Sequence, residues 1–195
     1  MINPNSTHIL RTKVLKTAIL IDGSCLYKAF QNLSDNPVNR STIFKLILEN
    51  TTVLQNKFYS NSIIYYDSQF PEWFKGGSKY NNELNHFHER LEKLAVKIRT
   101  STLVYRVPQQ GKRGKFSEKG VDVNLAMDAG RLISSGEFFR IIIVSGDGDF
   151  GPVAESIIEN NLQCTVIFPD KISSKFKKIA GVNIIEFSLN SRIGV

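Results

Sequence analysis

The chain is short of cysteine and histidine and has no long apolar run, and each shortage narrows what it can be. Its 195 residues include two cysteines, Cys25 and Cys164, too few for a disulfide scaffold. Neither has a CxxC partner or a histidine at zinc-ligand spacing, and His86 and His88, two residues apart, would face different ways on a helix. That spacing argues against zinc. No apolar stretch approaches the roughly 18 residues of a membrane span, and Met1 to Lys16 lack the apolar centre of a signal peptide.

What is there fits a soluble α/β protein with a basic excess. Hydrophobic residues make up 42% of the chain, mean hydropathy is -0.15, the net charge is +7 and the isoelectric point lies near 9.4. One compact unit in the cytoplasm is expected, with residues 1–15 as a flexible leader and 16–195 as a single domain. The charge points to an acidic polymer as partner.

Strand and helix patterns alternate along the chain. Lys16–Asp22 reads as a first strand, and a helical stretch then runs from Gly23-Ser24 through Ile43, Phe44, Ile47, Leu48 and Leu54, divided at Pro37. Ser62–Tyr66, ending at Asp67, reads as a second strand, and Leu103–Val107, stopping at Pro108, as a third. Between these two, Leu84, Phe87, Leu91, Leu94 and Ile98 recur at helical spacing and offer a candidate homodimer surface. Phe138–Val144 is a β-branched fourth strand, Pro152–Asn160 a helix, Gln163–Phe168 a fifth strand and Asn183–Phe187 a short edge strand. Strands separated by helices imply right-handed crossovers and a mostly parallel sheet of five or six strands in a three-layer α/β/α, Rossmann-like fold.

The most informative segment is Ser145-Gly146-Asp147-Gly148-Asp149-Phe150, directly behind the fourth strand. Open α/β sheets keep their ligands at such carboxyl ends. Asp22 ends the first strand, and Asp122 starts the amphipathic helix marked by Val121, Leu125 and Leu132. In a sheet of order 3-2-1-4-5, strands one and four are neighbours, and the crossover from strand three can bring Asp122 over the same crevice. Asp22, Asp122, Asp147 and Asp149 would then converge. Two unit charges about 4 Å apart at an effective dielectric near 20 repel by roughly 4 kcal/mol, so the group calls for a cation. Oxygen-only ligands favour Mg²⁺ or Mn²⁺.

Three blocks carry a resemblance: Ile21-Asp22-Gly23-Ser24 with Leu26-Tyr27, Lys119-Gly120-Val121-Asp122-Val123 with Leu125-Ala126 and Asp128, and Ser145 to Phe150. In order and spacing, across roughly Thr17 to Phe168, they resemble the signature blocks of the NYN family of PIN-like nucleases, most closely its LabA-like bacterial branch. The resemblance implies a PIN-like sheet and a ribonuclease in which Asp22, Asp122, Asp147 and Asp149 hold Mg²⁺ or Mn²⁺ while water attacks the RNA phosphodiester. It also implies a role for Asp128, either as a metal ligand or as a buried acid bonded to Ser145 or backbone amides. The family usually has asparagine where this chain has Cys25, a weak donor and poor Mg²⁺ ligand. Cys25 is either a small filler or the mark of a displaced role.

Ahead of Asp122, the glycine-containing segment Arg106–Lys119 carries Lys112, Arg113, Lys115, Phe116 and Lys119, which suit RNA binding: phosphates on the cations and a base on Phe116, single-stranded RNA being the expected form. Tyr65, Tyr66, Trp73 and Phe74 are further stacking candidates or core residues, and Lys171, Lys175, Lys177 and Lys178 read as a solvated helix face. Gly146, Gly148 and Gly151 satisfy the dinucleotide fingerprint with Asp170 downstream, but Asp147 and Asp149 would face the pyrophosphate, so no dinucleotide is expected. A phosphatase with Asp22 as nucleophile would want a second acid where Ser24 stands. Two readings rival the ribonuclease: a catalytically weak RNA-binding or regulatory module, and acids that merely cap helices, as Asp122 and Asp149 are placed to do.

Overall fold

A computed structural model describes residues 16–33, 39–52, 60–107, 114–169 and 171–187. In chain order the elements are β1 (Lys16–Asp22), α1 (Gly23–Leu33), α2 (Arg40–Thr52), β2 (Ser60–Gln69), α3 (Ser78–Glu92), β3 (Lys97–Thr102), β4 (Val104–Arg106), β5 (Lys115–Ser117), α4 (Val121–Ser135), β6 (Phe138–Val144), α5 (Gly151–Glu159), β7 (Gln163–Phe168), α6 (Ser174–Lys177) and β8 (Val182–Glu186). Short 3-10 turns stand at Lys75–Gly77 and Gly148–Phe150.

Six strands form one sheet in the order β3-β2-β1-β6-β7-β8, every neighbour parallel. With the β4–β5 hairpin set aside this is 3-2-1-4-5 with a sixth strand on the edge, as the alternation of patterns implies. Helices α1, α2 and α3 lie against one face, and α4 and α5 against the other. Being covered on both sides, β1 and β6 bury Ala18 to Ile21 and Ile141 to Val144 completely, which is why both read as continuous apolar runs. Pleating separates two adjacent tyrosines: Tyr65 packs edge-on against Phe44 and Phe87 beneath α2 and α3, whereas Tyr66 reaches Asp128 on α4. Both tyrosines are core and offer no stacking surface.

Two expectations are corrected. The third sheet strand is Lys97–Thr102, while Val104–Arg106 leaves the sheet and pairs antiparallel with Lys115–Ser117. The helix spanning Leu84 and Leu91 stops at Glu92, Ala95 takes a left-handed turn, and Ile98 belongs to β3 opposite Tyr65. A half-exposed edge strand of sequence KIRTST carries no apolar run, so the helical spacing runs through its start undetected. Leu84, Phe87 and Leu91 are buried in the core, which removes them from any homodimer surface. The helices on either side of Pro37 are separate, although Pro37 itself, Leu54 and residues 1–15 lie outside the described residues. Among the described residues no helix is long and apolar enough to cross a membrane.

Candidate active site

The carboxyl ends of β1 and β6 are adjacent, with Ile21 opposite Val144, so Asp22 and Ser145 leave the sheet side by side. Asp22 is 4% exposed. Its Oδ1 accepts the Cys25 backbone N–H at 3.0 Å and its Oδ2 accepts from Ser145 Oγ at 3.0 Å. Ser145 Oγ also accepts the Asp147 backbone N–H at 3.2 Å, and Asp147 Oδ1 takes the Asp149 N–H at 2.9 Å, capping the turn that leads into α5. Glycines allow this crowding: a Cβ on Gly23 would enter the Tyr65 ring, and one on Gly146 the Phe168 ring. Of the three glycines that mimic a dinucleotide fingerprint, Gly146 and Gly148 serve close packing, since a Cβ on Gly148 would meet the Ser173 side chain, whereas one on Gly151 would make an ordinary contact; Asp170 lies outside the described residues.

The acids sense one another. Burial pushes Asp22 up to about 7 against the pull of the Cys25 amide and the Ser145 hydroxyl, with the charges of Glu118 and Asp122 adding to the rise. Asp122 is raised by burial and then by Asp147, Glu118 and Asp149. Asp122, Asp147 and Asp149 are exposed, so the group consists of one acid at the floor of the crevice and three at its mouth. Glu118 is a fifth member absent from the sequence reading. Its place just ahead of α4, within the segment read for its cations, concealed it; Lys28 pairs with it at 3.6 Å.

Among the described residues no three Asp, Glu, His or Cys side chains stand in a ready arrangement for a metal ion. Both oxygens of Asp22 are engaged within the protein, and Asp149 Oδ1 accepts from Lys175 Nζ at 2.7 Å. In chemistry the donors nonetheless suit a hard divalent cation, being carboxylate oxygens whose shared repulsion such an ion would relieve. Lys175, expected on a plain solvated face, instead reaches into the acid group. Lys177 meets Glu186 at 2.8 Å.

Cys25 is half-buried beside Asp22; burial and then the Asp22 charge push its thiol up, with the Gly146 backbone and Ser145 pulling the other way. Among the described residues Asp128 is hydrogen-bonded to neither Ser145 nor a backbone amide. It accepts from Arg99 Nε at 3.0 Å, Arg99 Nη2 at 3.3 Å, Arg131 Nη1 at 2.9 Å and Tyr66 Oη at 3.2 Å. Burial raises its pKa, but the arginine hydrogen bonds outweigh that and hold it below the usual carboxylate range, which makes it a structural anchor between α4 and β3. Lys115 and Lys119 are exposed, whereas Phe116 is half-buried among Phe70, Trp73, Phe74 and Tyr105 and presents no free face for a base. Lys112 and Arg113 lie outside the described residues.

A second buried acid lies beside the first. Asp67 on β2 is fully buried, with Oδ1 accepting Ser24 Oγ at 3.1 Å and the Ser68 N–H at 2.9 Å, and Oδ2 accepting Arg40 Nη1 at 2.8 Å. Arg40 in turn donates to Tyr80 Oη at 2.7 Å and lies 4.0 Å over the Tyr27 ring. This network ties the turn after Asp22 to β2 and α2. An acid at the end of the second strand was the available signal.

Comparison with known proteins agrees with this architecture. The family model of the NYN domain matches residues 16–186. Among solved structures, a protein of unknown function from Vibrio parahaemolyticus superposes with a TM-score of 0.60 at 20% identity, covering 89% of this chain and 94% of that one. No curated protein matches the chain.

Proposed function

The chain belongs to the NYN domain family of PIN-like nucleases, and on that premise we propose that it is a ribonuclease dependent on Mg²⁺ or Mn²⁺, with Asp22, Asp122, Asp147 and Asp149 as metal ligands. The observation that carries this reading is the mutual influence of these acids at the carboxyl ends of β1 and β6: the charges of Glu118 and Asp122 add to the burial that lifts Asp22 to about 7, and those of Asp147, Glu118 and Asp149 act on Asp122. A purely polyanion-binding surface has no use for carboxylates there. A bound divalent cation would activate water and offset the charge of the scissile phosphate.

The chain's own residues supply the rest. Ser145 and the Cys25 amide fix the Asp22 carboxylate from both sides, so the floor acid does not swing. Asp147, held by its cap to Asp149, sets the opposite lip. Lys115 and Lys119, exposed ahead of α4, would hold flanking phosphates of single-stranded RNA. A cytoplasmic setting belongs to the same reading. A catalytically weak RNA-binding module is the alternative, favoured by Cys25 in place of asparagine and by the Lys175–Asp149 ion pair.

The test compares cleavage of labelled single-stranded RNA by wild type, Asp22→Asn and Asp147→Asn, with Mn²⁺ and with chelator. The proposal expects cleavage only by wild type with Mn²⁺. Cleavage indifferent to both substitutions and to chelation removes the metal mechanism, and RNA binding without cleavage under any condition favours the binding module.

A further inference from the structure

Trp73, on the segment after β2, and Tyr105 and Val107, on β4 and just beyond it, are exposed large hydrophobics where the β4–β5 hairpin leans on that segment. Phe116 is their anchor: its ring centroid lies 4.6 Å from Phe74, 5.0 Å from Phe70, 5.2 Å from Tyr105 and 5.9 Å from Trp73. Trp73, 66% exposed, stands at the edge of this cluster with much of its indole open to water. Rings so held are rigid and hydrated at a cost, the condition in which another flat ring stacks with little loss of entropy. Leaving the pair exposed has no structural benefit, since Phe116 already joins the hairpin to the body.

Charge indicates the partner. Cross-strand pairing sets Tyr105 opposite Phe116 and Arg106 opposite Lys115, so the ribbon carries rings on one face and cations on the other. Lys75, two residues after Trp73, is exposed as well. Phe70 follows directly on the carboxyl end of β2, and Glu118, just beyond β5, acts electrostatically on Asp22 and Asp122. The aromatic patch therefore adjoins the acid crevice, on a chain of net charge +7.

We propose that Trp73 and Tyr105 form a base-stacking platform for a single-stranded polynucleotide next to the acid site. A duplex hides its base faces, so the platform selects for strandedness rather than sequence. This deepens the ribonuclease reading and rests on it for the neighbouring chemistry, but stacking needs no metal. An apolar protein partner would be content with the rings alone; exposed Lys75 beside Trp73, with Arg106 and Lys115 on the opposite face of the ribbon, favours the polynucleotide.

Trp73 is the chain's single tryptophan, so its fluorescence reports on this platform alone. The experiment titrates the full chain, in chelator, with an adenine-rich single-stranded RNA, the DNA of the same sequence, and the RNA as a duplex, while anisotropy of a labelled oligonucleotide gives affinity. The platform predicts quenching by both single strands and not by the duplex. Trp73→Ala should weaken single-strand binding about tenfold, Trp73→Phe should restore most of it, and Tyr105→Ala should weaken it in the same direction. Because Trp73 is exposed, Trp73→Ala is expected to leave the melting temperature in place. Binding that is equally tight in Trp73→Ala, no binding by wild type, or emission that responds to protein concentration and not to RNA overturns the platform, the last outcome marking a protein interface. Quenching without Mn²⁺-dependent cleavage keeps the platform and removes the ribonuclease, whereas cleavage with a silent Trp73 does the reverse.

Discussion

Ser145 Oγ donates to Asp22 Oδ2 at 3.0 Å while accepting the Asp147 backbone N–H at 3.2 Å, so one hydroxyl couples Asp22 to the turn that bears Asp147 and Asp149. The two strands that carry these residues are neighbours in the sheet, Ile21 beside Val144. The acid group is thus a product of strand order, and its electrostatic cost is borne by packing on both faces of β1 and β6.

At Asp22 the cost is measurable, most of it from burial and the rest from the charges of Glu118 and Asp122. Its carboxyl ionises near 7 in the fold and near 3.8 when unfolded. The unfolded chain loses this proton first, so stability falls as pH rises from about 3.8 to 7, and the penalty is complete above 7. At about 1.4 kcal/mol per unit the ceiling is roughly 4 kcal/mol. Asp22→Asn should therefore be more stable than wild type at pH 8 without divalent ions, by about 2 kcal/mol, and nearly equal to it close to pH 4. Added Mn²⁺ should raise the melting temperature of wild type and not of the variant. Urea unfolding at the two pH values decides the first point; an unstabilised variant at pH 8 would show that the acid is not strained.

Asp128 makes the opposite prediction. With two arginines and Tyr66 on its oxygens, it is a partner to fixed charges rather than a ligand in waiting. Asp128→Ala should lose about 2–3 kcal/mol at pH 7, less than a fully buried pair because Arg131 is well exposed, and should leave the Mn²⁺-induced shift intact. Its folded pKa is depressed, so the stabilisation is present above about 3.8 and is lost as pH falls below that. Loss of the Mn²⁺ response in this variant would make Asp128 part of the metal site after all.

The contrast between these two aspartates indicates what was legible in the sequence. Asp22, Asp147 and Asp149 sit at strand ends, where a β-branched run followed by glycine marks both the strand and its functional edge, and their neighbourhood follows from strand order. Asp128 lies mid-helix, and its partner Arg99 is on β3, a polar edge strand without an apolar signature. With β3 misplaced, its contacts were out of reach. Glu118 and Lys175 were hidden for a related reason: an irregular segment and a four-residue helix are too short to show a period, and only tertiary structure brings these charges to Asp22 and Asp149.

Cys25 offers a chemical probe of the same crevice. Burial and the Asp22 charge raise its thiol pKa, so it is a protonated, slow nucleophile at neutral pH. Iodoacetamide should modify it several-fold more slowly than a free thiol, and Asp22→Asn should speed the reaction by removing the neighbouring charge; mass spectrometry separates it from the buried Cys164. Alkylation at the rate of a free thiol would place Cys25 outside the influence of Asp22. Cys25→Asn, which restores a donor and an oxygen acceptor, is expected to increase Mn²⁺-dependent cleavage.

His88 tests the network behind the site. Among the described residues its Nε2 has no hydrogen-bond partner, and it lies 3.9 Å from Asp67 Oδ2, an oxygen that already accepts from Arg40 at 2.8 Å. Burial, with the Arg40 charge adding to it, pushes His88 down to about 4, so the imidazole is neutral and this is no ion pair at pH 7. As pH falls from the unfolded value of about 6.5 to 4, the unfolded chain takes up a proton that the fold refuses, and stability drops across that window by up to about 3 kcal/mol. Asp22 pulls the other way over much of the same range, so the comparison must be made by difference. His88→Leu should flatten the fall in unfolding free energy between pH 7 and pH 4.5 by about 2 kcal/mol relative to wild type. Parallel curves would mean that Asp67 still holds enough unshared negative charge to accept a protonated His88, and that Arg40 does not neutralise it.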